Sequence, residues 1–185
     1  MDDALWAFGR VSGLLSMGLL SLSVLLGILT RSGRPLPGIP RFSITLIHRN
    51  VSLLAAIFLV FHVGSLMLDS FARINPVDVV VPFLGAYKPF YQGLGTVALD
   101  LMAAVVITSL LRHRIGQRAF KAVHWLTYAM WPIAMVHTLG NGTDGRSSWV
   151  VGSTIGVSAA LVVAVLWRLS ASFLDTAKLR QGGAR

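Results

Sequence analysis

The chain has 185 residues, of which 55% are hydrophobic and only 12% charged, with a mean hydropathy of +0.72. A soluble domain of this size carries roughly a quarter charged residues, so this composition excludes an ordinary water-soluble globule and points to lipid. The absence of cysteine excludes disulfides, thiolate metal sites and cysteine-held iron–sulfur clusters.

Crossing the hydrocarbon core takes about 20 mostly apolar residues, and five stretches are long enough. The first, over residues 7–30, carries Arg10 near its start. It follows an acidic N-terminus, Met1-Asp2-Asp3, and lacks the basic start and small-residue cleavage site of a secretory signal, so it is expected to be a retained helix. The second covers 42–71, longer than a span requires. The third covers 91–111 and contains Asp100. The fourth covers 119–139 and the fifth 149–169. Between them, residues 31–41 hold Pro35, Pro37 and Pro40, which exclude continuous helix. Residues 75–89 hold Pro76, Pro82 and Pro89 around the apolar run 77–84, too short to span and expected to be interfacial or re-entrant. Residues 141–148 form a polar turn. The expected fold is an all-α membrane bundle of about five transmembrane helices, with residues 1–172 as the membrane domain and 173–185 as a basic tail.

The positive charge follows this division. Arg31, Arg34, Arg41 and Arg49 flank the first connection, and Arg112, Arg114, Arg118 and Lys121 the third. Arg168, Lys178, Arg180 and Arg185 follow the last helix. These are 12 of the 16 lysines and arginines, and five spans put all three regions on one side. The positive-inside rule then predicts an extracytoplasmic N-terminus and a cytoplasmic C-terminus. The net charge of +9 is thus a topology signal, and no nucleic-acid partner is expected.

Histidines carry the chemistry. His48 and His62 lie fourteen residues apart on the second span, and His124 and His137 thirteen apart on the fourth. Ionisable residues inside a membrane are costly and mark functional sites. A lone one is often an interhelical hydrogen-bonder, but two matched pairs are harder to dismiss. Both spans run outward from the cytoplasm, so His48 and His124 share an inner level and His62 and His137 an outer one. At 1.5 Å per residue the levels stand roughly 20 Å apart within a core of about 30 Å. Each level offers one imidazole from each of two parallel helices, which is what axial ligation of a haem iron from both sides requires. Zinc or non-haem iron recruits carboxylates or a third ligand. The chain has no glutamate, and Asp100 is the only acid in mid-membrane. Fourteen residues return to nearly the same helical face, whereas thirteen miss it by about 140°. An irregularity around Trp131–Pro132 is therefore expected to re-aim His137.

Gly9-Arg10-Val11-Ser12-Gly13 opening the first span, His48-Arg49 through Phe61-His62, and Thr108-Ser109-Leu110-Leu111-Arg112 followed by His124 and His137 resemble one family over about residues 9–139. This is the ferric reductase-like transmembrane domain, shared by ferric reductases, NADPH oxidases and the haem subunit of bacterial periplasmic methionine sulfoxide reductase. The resemblance implies two stacked b haems, held by His48 with His124 and by His62 with His137. Larger members commonly have six spans and a cytoplasmic flavin and nicotinamide domain. Here no Gly-x-Gly-x-x-Gly stretch follows a strand, so a separate flavoprotein reductase or a membrane quinol is expected as donor.

Haem propionates are anionic and arginine suits carboxylates. Arg10, near the outer level, and Arg49, near the inner one, are the preferred propionate partners, with Arg41, Arg118 and Lys121 also at the inner level. Asp100 is expected to make a structural hydrogen bond, Gly93 and Gly95 to let helices approach closely, and His113 to be solvated. Met130, Trp131 and Phe58 fall between the two levels, where ordinary packing explains them equally well. The expected function is electron transfer across a bacterial cytoplasmic membrane, ending on an extracytoplasmic acceptor or flavoprotein partner, within an oxidoreductase system. The alternative is a membrane anchor or assembly subunit without haem.

Overall fold

A computed structural model describes residues 2–32, 38–70, 72, 74–145 and 147–170. The basic tail expected over 173–185, together with Arg34, Pro35, Pro37, Arg73 and Arg146, lies outside the described residues. The described chain is helical: α1 (Asp2–Arg31), α2 (Arg41–Leu68), α3 (Pro76–Val80), α4 (Pro89–Leu110), α5 (Arg112–His124), α6 (Thr127–Asn141) and α7 (Ser148–Leu169). Four of these, α1, α2, α4 and α7, are long and apolar enough to cross a membrane. Large apolar side chains such as Leu53, Val60, Ile155 and Val163 point outward. That would be a liability in water and is the expected surface in lipid.

α1 and α2 form one antiparallel pair, and α4 and α6 a second; α1 also packs against α6 and α7. Small residues let α1 and α2 approach closely, as in other membrane bundles. Ser16 donates from Oγ to the Ala55 carbonyl at 2.9 Å, and the Ser23 and Ser52 hydroxyls meet at 2.6 Å. Met17, Leu20, Val24, Ala55, Ala98, Met102, Met130 and Leu161 make the common core. The run expected to be interfacial begins as α3, five residues long, capped reciprocally by Asn75 and Asp78. It docks on α4, where the buried Thr96 hydroxyl donates to the Asp78 carbonyl at 2.7 Å.

The fourth expected span is not one helix. α5 is basic and exposed, and it is broken internally at Gly116, whose φ of 82° lies in the left-handed region. A tight turn at Trp125–Leu126 then separates it from α6. The Leu126 N–H reaches the Val123 carbonyl at 2.9 Å, Tyr128 reaches Trp125 at 3.1 Å and Ala129 reaches Leu126 at 3.0 Å. These are i to i+3 bonds of the 3₁₀ type. The irregularity expected around Trp131–Pro132 thus occurs earlier, and α6 runs helically through Pro132. The physical reason is that a proline obstructs the carbonyl four residues before it. Here that is Tyr128, in the first turn of α6, where the chain is free to tighten. Each 3₁₀ residue winds about 20° further than an α-helical one. The tightening therefore turns His137 in the direction needed to close its mismatch with His124.

A candidate two-level histidine site

The four histidines are brought together in pairs. The rings of His48 and His124 have centroids 6.3 Å apart and planes at 81°; those of His62 and His137 are 6.4 Å apart at 77°. α2 and α6, which carry His48, His62 and His137, are not among the closely packed helix pairs. α1 and α4 hold them apart and build the seats in which the rings lie.

Those seats share one design. A Cβ at Gly13 of α1 would stand 2.7 Å from His62 Nδ1, and one at Gly95 of α4 would stand 2.6 Å from His137 Nδ1. At Gly27 of α1 it would stand 3.3 Å from His48 Cε1. In each case the carbonyl four residues before the glycine captures the ring. His62 Nδ1 bonds the Gly9 carbonyl at 2.7 Å, His137 Nδ1 the Tyr91 carbonyl at 2.7 Å, and His48 Nδ1 the Ser23 carbonyl at 2.9 Å. A carbonyl only accepts, so Nδ1 carries the proton and Nε2 keeps its lone pair. That is the tautomer and the outer partner of a metal-ligating histidine. His124 differs: its Nδ1 is buried without a hydrogen-bond partner among the described residues.

Two imidazoles bound to one metal ion through bonds of about 2 Å would hold their ring centroids roughly 6 Å apart. Both pairs meet that requirement. Among the described residues no three His, Cys, Asp or Glu gather into a metal-binding group. The donor set is therefore two imidazoles per level, short of the three protein ligands that zinc takes.

A cavity of about 340 Å³ opens at the outer level, lined by Gly13, His62, Gly95 and His137 and, deeper, by Met17, Met102 and Met130. Its size falls in the usual range for cofactor sites. Arg10 lines it as well, with its guanidinium 4.2 Å from the Trp6 ring centroid and ion-paired to Asp144 in the loop between α6 and α7. Its Nε is buried without an acceptor among the described residues, so the guanidinium retains a donor for a further anion. Arg49 is exposed on α2, as are Arg118 and Lys121 on α5. Neighbouring His48 in sequence puts Arg49 about 100° around the helix from it.

Asp100 also lies on an exposed face of α4, and the structural hydrogen bond expected of it is not made with the described residues. His113 is exposed, as expected, on α5. Between the two levels Trp131 donates from Nε1 to Ser21 Oγ at 2.8 Å, tying α6 to α1. Sequence reasoning missed this tie and all three glycine seats.

Residues 12–135 match the family described as ferric reductase like transmembrane component. The chain belongs to that family. The match takes in His48, His62 and His124 and ends two residues before His137. No curated protein and no solved structure matches the chain. Ferric reductase-like domains generally bind haem and serve membrane electron transfer. The paired imidazoles, three of them with Nδ1 bonded to a backbone carbonyl, and the cavity beside one pair fit such a group.

Proposed function

We propose that this protein conducts electrons across a bacterial cytoplasmic membrane through two b-type haems, one between His48 and His124 and one between His62 and His137. The observation that carries this reading is the geometry of the two pairs, each with ring centroids just over 6 Å apart at levels roughly 20 Å apart along α2. The basic residues around α5 and at the end of α7 favour a cytoplasmic inner level and an extracytoplasmic outer one.

Bound haem iron supplies the one-electron ferric–ferrous couple. The chain's own residues do the rest. The Gly9, Ser23 and Tyr91 carbonyls fix three imidazoles as Nδ1–H tautomers, directing Nε2 to the iron and raising its basicity. Gly13, Gly27 and Gly95 leave room for the rings. Arg10 offers charge for a propionate at the outer level. Arg49, exposed on α2, would offer charge for an anionic group at the inner level. Met17, Met102 and Met130 keep the space between the levels apolar. The acceptor at the outer level would be ferric iron, oxygen or an extracytoplasmic flavoprotein or reductase. A separate flavoprotein reductase or a membrane quinol would supply the electrons.

The test is purification in detergent with oxidised and reduced spectra, a haem-to-protein ratio, and His48→Ala and His62→Ala variants. About two b haems per chain, one fewer in each variant, is the expected result. A colourless protein after haem-supplemented expression would overturn the reading in favour of a membrane anchor or assembly subunit.

A further inference from the structure

Three of the four histidines are locked, and the fourth is not. His48, His62 and His137 each lie against a glycine with Nδ1 bonded to a backbone carbonyl. Among the described residues no glycine seats His124, and its buried Nδ1 has no partner. Its nearest rings are Phe120, at 5.2 Å between centroids, and His48. His124 is the last residue of α5, a helix with no buried residue and an internal break at Gly116. On its other side stands the tight turn at Trp125–Leu126. The ring is thus carried by a helix without a buried residue, between two points where the backbone departs from α-helix.

We propose that His124 is a displaceable ligand, so that the inner haem iron is a binding site for small neutral ligands of the carbon monoxide class. The outer iron is closed to them. This rests on the haem reading above. The exchange is a substitution without electron transfer: the bond from iron to His124 Nε2 breaks, the small molecule's donor atom bonds to the ferrous iron, and the imidazole moves off with α5. His48, held by the Ser23 carbonyl and by Ser52, whose hydroxyl bonds the His48 carbonyl at 2.7 Å, stays as the fifth ligand. At the outer level both imidazoles are held by a carbonyl and enclosed against a glycine, so neither leaves at a comparable rate.

The haem-loaded protein in detergent, reduced with dithionite and mixed with carbon monoxide, tests this directly. The expected difference spectrum shows an adduct from about half of the haem, formed at a rate that stops rising at high carbon monoxide because departure of His124 limits it. In His124→Ala the same half is expected to bind at a rate proportional to carbon monoxide. If that variant instead loses the inner haem, the remaining haem should form no adduct. His137→Ala, by opening the outer iron, should extend the adduct towards all the haem it retains. No adduct in the unmodified protein overturns the proposal, as does a saturating rate unchanged in His124→Ala, or an adduct from the haem left after the inner one is lost. A protein that binds no haem at all is a different result, since it overturns the electron-transfer reading itself.

Discussion

Gly13 of α1 and His62 of α2 interlock: a Cβ at position 13 would lie 2.7 Å from the ring's Nδ1 and 2.8 Å from its Cε1. The same ring is held from that side by the Gly9 carbonyl, one turn earlier on α1. Missing side chain and exposed carbonyl act together, because the imidazole reaches the carbonyl only by lying across the glycine. The arrangement recurs with Gly95 and Tyr91 around His137, and with Gly27 and Ser23 around His48.

With two haems held as proposed, Gly13→Ala is therefore expected to dislodge the outer one. The added methyl stands where the ring is, and a ring that moves away gives up its bond to Gly9. Disturbing the outer partner of a metal-bound histidine typically weakens metal binding about 10–100-fold. A haem-to-protein ratio falling from about two towards one, with the inner haem's spectrum retained, is the expected outcome. An alanine variant with both haems and unaltered spectra would show that the seat is dispensable.

Gly27→Ala should be milder. Its Cβ would approach His48 Cε1 at 3.3 Å, a contact that a few tenths of an ångström relieve. Both haems should remain, with at most a small shift in the inner haem's spectrum. Gly27→Leu has no such escape, since overpacking a filled site costs about 1–3 kcal/mol or more, and it should lose the inner haem. Comparing the haem content of the two variants separates steric seating from a general intolerance of α1 to substitution.

These glycines also show what the sequence discloses and what it hides. The membrane spans α1, α2, α4 and α7 were legible because lipid demands an unbroken apolar run about 20 residues long. The histidines were legible because their two spacings nearly agree. The seats on α1 leave a fainter mark, visible only across helices: Gly13 and Gly27 are fourteen residues apart, as His48 and His62 are. Gly95 has no such counterpart and in sequence reads only as a helix-contact residue. Which way a side chain faces was harder to read. Arg10 and Arg49 look equivalent in sequence, yet Arg10 lines the outer cavity and Arg49 is exposed. Asp100 follows the same lesson, since depth in the bilayer says nothing about which face of α4 it occupies. The break at Trp125–Leu126 was hidden because a proline acts on the turn before it, and that turn happens to begin α6.

On the proposed haem reading, Arg10 and Asp144 should tune the outer haem in opposite directions. A nearby positive charge favours the electron-bearing form and a negative charge disfavours it. Arg10→Gln is expected to lower the outer haem's reduction potential and Asp144→Asn to raise it, each on the order of tens of millivolts. The inner haem, roughly 20 Å deeper, should barely respond. Redox titration followed optically is the measurement that would resolve the two. Shifts of the same sign in both variants, or a larger shift at the inner haem, would remove Arg10 from the outer site.

Trp131 and Ser21 are expected to be coupled in stability. The Trp131 Nε1–H donates to Ser21 Oγ at 2.8 Å, while the same hydroxyl donates to the Met17 carbonyl at 2.8 Å. Ser21 is buried, so the hydroxyl accepts one bond and makes another out of reach of water. Ser21→Ala leaves the indole N–H without its acceptor, at a cost of about 1–3 kcal/mol. Trp131→Phe removes the donor but leaves the hydroxyl its bond to Met17, and should cost less in hydrogen bonding. Interhelical hydrogen bonds in membranes average about 0.6 kcal/mol in double-mutant cycles, with a maximum of about 1.7 kcal/mol. A cycle over the two single variants and the double variant, followed by unfolding in mixed detergent, should give a coupling in that range. Additive effects would mean that the bond adds nothing to the joint between α1 and α6, and that shape alone holds Trp131 between the two histidine levels.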